Sequence, residues 1–328
     1  MLKRKLSLGW ILLFASASPA AEFTVAADGS GTHATVQGAI DAVPSGTSER
    51  TTISIKPGTY KERLKIEKDK APITLIGLGE KPNDVVLTYD LNATSVVAPA
   101  TQPVGTSGSA SVTINASDLI AKNLTFENSA GQVAQAVAVK VQGDRIVIEN
   151  CRFLGWQDTL CVDGGRQLFR NCYIEGRVDF IFGRSTAVFE TCTIHSKNGG
   201  YVTAARTTPE QTFGYVFLDC TLTGEGDTAF LGRPWQWDRG SNAAVAFIRC
   251  RMGPHIKPEG WNPWDLKDRK NEHPEAVTRY VEYGSTDLEG KALDVSARVK
   301  WSKQLSEEEA KQYTIEHVLS GDDHWKPD

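Results

Sequence analysis

Asn150-Cys151-Arg152-Phe153, Asn171-Cys172-Tyr173-Ile174, Thr191-Cys192-Thr193-Ile194, Asp219-Cys220-Thr221-Leu222 and Arg249-Cys250-Arg251-Met252 repeat one pattern: polar, small apolar, polar, large apolar. Asn123-Leu124-Thr125-Phe126 sets the same frame one step earlier, and from position 124 the ladder advances by 27, 21, 20, 28 and 30 residues. The alternation reads as a short strand with one buried face. Units of this length cannot bury a face alone and must stack as a solenoid. A leucine-rich repeat shares the period, but its Leu and Asn pattern is absent. The expected fold is therefore all-β: a single-domain right-handed parallel β-helix, its ladder residues pointing inward about 4.8 Å apart. In that frame the cysteines are mainly small buried packing groups. Cys172 and Cys192, on adjacent turns, are the disulfide candidates, subject to the bonding geometry.

Outside the repeat, Val36, Ala39, Ile40 and Val43 fall at helical spacing before Pro44, which predicts a short capping helix at the N-terminal end. Ser306 with Glu309 forms a capping-box pattern opening a helical segment that ends at Gly321, near the C-terminal end. Lys3, Arg4 and Lys5 precede an apolar block, Leu6 to Phe14, and small residues at Ser18 and Ala20, the layout of a cleavable secretory leader over 1–20. The block is shorter than the roughly 20 apolar residues of a membrane helix. Residues 21–328 then form one domain, expected to be secreted, whether extracellular or periplasmic, and monomeric. A net charge of -4 argues against a nucleic-acid partner and places any attraction for an anionic substrate on local cations. Asn92, Asn115 and Asn123 stand in glycosylation sequons.

Asp158 lies seven residues after Cys151, and Asp179 seven after Cys172. Equal offsets put the two on one column of adjacent turns. Asp179 is set in the apolar run Val178-Asp179-Phe180-Ile181-Phe182, where an acid is costly unless compensated. Two close carboxyls cannot both ionise easily, so one pKa is expected raised and the other low, the division between a proton donor and an anionic nucleophile. A structural stack of aspartates is the competing reading. Three chemistries use such a pair: a retaining glycosidase, an acid-polysaccharide lyase and an esterase. The lyase is disfavoured because no acidic cluster of calcium-binding size falls in register. A serine esterase is disfavoured because no Gly-x-Ser-x-Gly elbow occurs. The six histidines show no metal-ligand spacing, so no metal and no cofactor is expected.

Gln157-Asp158-Thr159-Leu160, Asp179-Phe180-Ile181-Phe182-Gly183 and Leu231-Gly232-Arg233-Pro234-Trp235, in that order and spacing, resemble the signature segments of the pectin methylesterases. Gly58-Thr59-Tyr60-Lys61-Glu62, Gly105-Thr106-Ser107-Gly108-Ser109-Ala110 and Gln135-Ala136-Val137-Ala138-Val139 support the resemblance, which runs from about Phe23 to Trp325. It implies methylated pectin as partner, with no nucleic acid and no membrane. It further implies that Asp179 attacks the ester carbonyl of a methyl galacturonate unit, that Asp158 serves as acid and then base, and that Gln157 and Gln135 hold the oxyanion. Arg233 would orient and ionise Asp179, and Val178, Phe182, Trp235, Trp264 and Thr106 would line the sugar cleft. One departure stands out: many relatives carry an aromatic after Gln-Asp-Thr-Leu, where this chain has Cys161. The resemblance leaves open another β-helix polysaccharide enzyme, a sugar-binding solenoid, or an esterase acting on another ester such as a thioester.

Overall fold

The computed structural model describes residues 21–46, 48–70, 72–235, 241–264 and 274–327; the expected leader at 1–20 lies outside them. Every paired strand is parallel to its neighbour, and the strands form three sheets of eleven, seven and eight, each visited once per turn of a right-handed β-helix. Strand registers advance by the repeat lengths of the sequence: Phe153 opposite Ile174, then Ile194, Leu222 and Met252. Inside the coil, Phe169, Phe189, Phe217 and Phe247 stack with centroids 4.8, 4.6 and 4.4 Å apart, the strand spacing itself.

The polar residue that opens each repeat turns out to be a corner rather than a strand position. Asn123, Asn150, Asn171, Thr191, Asp219 and Arg249 all adopt left-handed backbone, φ 51 to 56°. Strands begin two residues later, as at Arg152–Leu154 and Tyr173–Gly176. Asparagine tolerates this conformation best among side-chain-bearing residues, which explains its recurrence. The Asn123 amide is consumed there, donating to the carbonyls of Gly77 at 2.9 Å and Gly79 at 2.7 Å, so its sequon is a structural corner.

The expected disulfide is corrected: Cys172 and Cys192 are both free thiols, as are the other four cysteines. The Sγ atoms of Cys172 and Cys192 sit just after a corner and turn to backbone carbonyls, of Ile148 at 3.5 Å and of Phe169 at 3.4 Å. The Cys172 N–H donates to Sγ of Cys192 at 3.4 Å. The column therefore packs as thiols, and burial pushes the Cys151 thiol up to about 12.

The helix Val36–Ala42 forms where expected, Thr35 accepting from the Gly38 N–H, with Val36, Ala39 and Ile40 buried against the first strands. The Ser306–Glu309 capping box is also present and opens Glu307–Ala310, followed by Ile315–Leu319. These helices lie along the outer face of the eleven-stranded sheet, where Val318 and Leu319 cover Val147, Leu168, Val188 and Val216. Arg166 ties the tail down through Asp323 and the carbonyls of Leu319 and Ser320. No helix among the described residues is long and apolar enough to cross a membrane.

Candidate active site

The strands Leu160–Val162 and Ile181–Gly183 are neighbours in the seven-stranded sheet, with Leu160 opposite Ile181. Two residues upstream of each, Asp158 and Asp179 hold the same corner on successive turns. The Asp158 N–H donates to the Val178 carbonyl at 3.0 Å, and the Leu160 N–H to that of Phe180 at 2.8 Å. Both aspartates are left-handed, φ 64° and 51°, so each corner projects its short side chain out of the coil. Their carboxyls are nonetheless nearly cut off from water, with residue exposures of 9% and 7%.

Arg233 follows the strand Ala229–Gly232, two strands further along the same sheet, and reaches back to Asp179. Its Nε donates to Oδ1 at 2.9 Å and its Nη2 to Oδ2 at 2.6 Å. The guanidinium is itself clamped by rings, 4.1 Å from the Tyr201 centroid and 3.8 Å from that of Trp264. Gly232, just before it, packs directly on the neighbouring strand: a Cβ there would stand 2.0 Å from Thr203 Oγ1.

These surroundings separate the two acids. Burial drives Asp158 well above its ordinary range, and the Asp179 charge adds to the rise; Arg233 opposes it only from a distance. Asp179 is also raised by burial, against the expectation that it stays low, because desolvation outweighs the ion pair. The two hydrogen bonds and the charge of Arg233 hold that rise well short of the one at Asp158. Of the two acids, Asp158 is thus raised the further above the ordinary range.

Gln157 and Gln135 are half-buried beside the pair. The Gln157 carbonyl accepts from the Ala136 N–H at 3.0 Å, so Gln135 stands on the preceding turn, one residue out of strict register. The side-chain amides of both have no hydrogen-bond partner among the described residues, which leaves their N–H groups able to meet a ligand oxygen.

On the outer face of the sheet, Ala110, Val137, Cys161, Phe182 and Ala204 form an apolar floor, with Trp235 and Trp264 packed on it. The Phe182 and Trp235 rings lie 5.9 Å apart, and Arg206 supports Trp235 from 4.8 Å. Cys161 is a free thiol but only 4% exposed, and burial keeps it protonated. Val178 is half-buried at the edge of the aspartate corner. Thr106 stands apart, in the turn Gly105–Gly108 on the N-terminal side, linked to the floor by Ser107 and Lys140.

Tyr201 escaped the sequence reading. Counting strand register, Ile181 faces Thr203, so Tyr201 occupies the Asp179 column one turn on. It lies nine residues after Cys192 instead of seven, because left-handed residues at Asn198, Gly199 and Gly200 widen that corner. The offset that exposed the aspartates therefore hid it.

Among the described residues no group of three or more His, Cys, Asp or Glu is placed to hold a metal ion. The assembled parts are an acid whose pKa burial raises, an ion-paired carboxylate, two uncommitted amides and an apolar floor. That set can attack an acyl carbon, stabilise the resulting oxyanion and protonate a leaving group.

Known proteins resemble this chain over most of their length. The chain is 41% identical to Pectinesterase 31 of Arabidopsis thaliana over 293 residues, 87% of this chain and 88% of that protein. Its structure superposes on the pectin methylesterase from carrot with a TM-score of 0.81 at 31% identity, covering 93% and 95% of the two chains. The pectin methylesterase PemA from Erwinia chrysanthemi gives 0.79 at 30% identity, covering 96% and 99%. With the family model described as Pectinesterase matching residues 22–322 as well, the chain belongs to the pectinesterase family.

Proposed function

We propose that this protein hydrolyses the methyl esters of galacturonate units in pectin, releasing methanol and leaving free carboxylates. The observation that carries the residue roles is the bidentate Arg233–Asp179 pair beside an Asp158 that has no such partner. The substrate class is supported by family membership and by a related pectin methylesterase, 31% identical with a TM-score of 0.80, solved in complex with a hexasaccharide.

Asp179, ionised and held by Arg233, attacks the ester carbonyl carbon. The carbonyl oxygen becomes an oxyanion, which the amides of Gln157 and Gln135 stabilise. As the tetrahedral centre collapses, the C–O bond to methoxide breaks and Asp158 delivers its proton, giving methanol and an acyl-enzyme anhydride at Asp179. Asp158, now charged beside an Asp179 that has become neutral, takes a proton from water. The hydroxide adds to the acyl carbon, a second oxyanion forms and collapses, and Asp179 leaves as carboxylate. One proton of the water remains on Asp158, and the galacturonic acid formed releases the other to solvent and departs as an anion. Phe182, Trp235, Trp264 and Val178 line the sugar path, with Thr106 at its N-terminal edge. The expected leader at 1–20 and the family's substrate together favour action outside the cytoplasm.

Incubation of the pure protein with methylated pectin, with methanol measured against a mock control, tests the reading. Methanol release is expected; none above control refutes it. New reducing ends or ultraviolet-absorbing products without methanol would instead assign a polysaccharide-cleaving activity.

A further inference from the structure

The strands Arg152–Leu154, Tyr173–Gly176 and Thr193–Lys197 are neighbours, in that order, in the eight-stranded sheet. The first runs straight into Gly155-Trp156-Gln157-Asp158, and so sets where the Gln157 amide and the Asp158 carboxyl stand. Lys197 ends the third and reaches back over the second to Gly155, 42 residues earlier in the chain. Its Nζ donates to the Gly155 carbonyl at 3.0 Å and to Glu175 Oε1 at 2.8 Å, and lies 3.9 Å from the centroid of the Trp156 ring. The Tyr173 hydroxyl fixes the other carboxylate oxygen, donating to Glu175 Oε2 at 2.9 Å. An ammonium carries three N–H groups, and two oxygens and a ring face surround this one. With only 14% of its side chain exposed, it escapes the solvent screening that makes surface pairs weak.

Further along the segment the ties are backbone to backbone. The Trp156 carbonyl accepts from the Arg177 N–H at 2.7 Å, that of Gln157 from the Ala136 N–H at 3.0 Å, and the Asp158 N–H donates to Val178 at 3.0 Å. Gly155, at the start, has no side chain to anchor it, and a Cβ there would stand 2.6 Å from Thr159 Oγ1. Lys197 supplies that anchor from outside. The cluster belongs to the eight-stranded sheet, whereas the apolar floor belongs to the seven-stranded one, so Lys197 meets the segment from behind the sugar path.

We propose that Lys197 is a positioning residue for the reaction: by holding the Gly155 carbonyl and the Trp156 ring together, it fixes the Gln157 amide where the oxyanion forms, an inference resting on the esterase reading above. Oxyanion donors act only when aimed at the position the charged oxygen will take, and that oxygen develops in the transition state. A loosened segment therefore costs turnover rather than substrate binding.

The test measures methanol release by wild type, Lys197→Met and Lys197→Arg, each also in a Gln157→Ala background. Lys197→Met is expected to lose about tenfold in kcat with KM within about twofold, the signature of a misplaced transition-state contact. Lys197→Arg, which can still meet the carbonyl and the ring, recovers to within about threefold of wild type. In the Gln157→Ala background Lys197→Met costs nothing further, because both act through one amide. Additive losses in that double variant overturn the proposal, as does a Lys197→Met enzyme with wild-type kcat, or one whose loss lies in KM. A thermal melt on each sample monitors folding. If Lys197→Met does not fold, Trp156→Leu takes its place, with a loss of about threefold in kcat expected and an unchanged kcat overturning the proposal. A wild type that releases no methanol defeats the esterase reading and this inference together, whereas an active wild type beside an unaffected Lys197→Met defeats the inference alone.

Discussion

Arg233 grips Asp179 with two parallel hydrogen bonds, 2.9 and 2.6 Å long, from a strand two turns away in the helix and 54 residues later in the chain. A fork of this kind fixes both carboxylate oxygens and so aims one lone pair out of the corner. Asp158, one turn back on the same column, is left without a cation of its own. The asymmetry between two acids of like burial comes from that arginine together with the Asp179 charge, which adds to the rise at Asp158.

Asp179→Asn should reduce turnover at least about 10³-fold, because an amide cannot form the acyl-enzyme. The left-handed corner tolerates Asn as well as Asp, so the fold should persist. Methanol release and circular dichroism on the same sample check this; near-normal turnover would remove Asp179 from the nucleophile role.

Arg233→Lys should lower kcat about 10²-fold, since a point charge replaces a fork. It should also move the acid limb of the pH profile. Arg233 now lowers the Asp179 pKa against burial; weakening it lets that pKa rise, so the rate falls off at higher pH than in wild type. A pH–rate profile in which both enzymes share one acid limb would contradict this coupling.

Asp158 makes a stability prediction. Its folded pKa stands well above the ordinary 3.8, so folding favours the protonated form. Its contribution is fully present below the unfolded pKa and is lost as pH rises through the folded one. Asp158→Asn, neutral at every pH, should therefore gain stability relative to wild type across that window while losing activity. Urea melts at pH 3.5 and pH 8 decide it: a difference between the two proteins that stays constant with pH would refute the shift.

The repeat, its register and the aspartate column were legible because one residue type recurred at an inward position and two turns kept equal length. Arg233 and Trp235 were legible only through resemblance; nothing in their spacing says that a residue two turns away reaches back. The capping box at Ser306 announced a helix start but not which surface the helix would cover, since that depends on the outward apolar faces of strands far apart in sequence. Tyr201 was missed because a two-residue insertion moved it off the common offset.

The corner residues carry a further consequence. Thr191 is β-branched yet left-handed at φ 51°, in a column where Asn123, Asn150 and Asn171 take the same conformation. Its hydroxyl donates to Asn171 Oδ1 at 2.6 Å, a contact that an asparagine amide can replace, as Asn150 does toward Asn123 at 3.2 Å. Thr191→Asn should stabilise the protein by about 1 kcal/mol by relieving the backbone. A thermal melt showing a lower Tm would mean the hydroxyl outweighs the strain.

The free thiols of the ladder give the last prediction. Cys192 Sγ is the acceptor for the buried Cys172 N–H, which lies just past a corner where no strand carbonyl faces it. Cys192→Ala removes that acceptor and opens a small void, so a loss of about 1 to 3 kcal/mol is expected, most of it from the unpaired donor. Cys192→Ser keeps an oxygen near the same place and should recover part of the loss. If the two cysteines instead formed a bond, both variants would lose stability alike, and reductant would destabilise the wild type. Thus three measurements converge: Ser above Ala in denaturant midpoint, a wild-type Tm indifferent to reductant, and six thiols titrated in unreduced, denatured protein. A count of four, with Ser and Ala indistinguishable, would restore the disulfide.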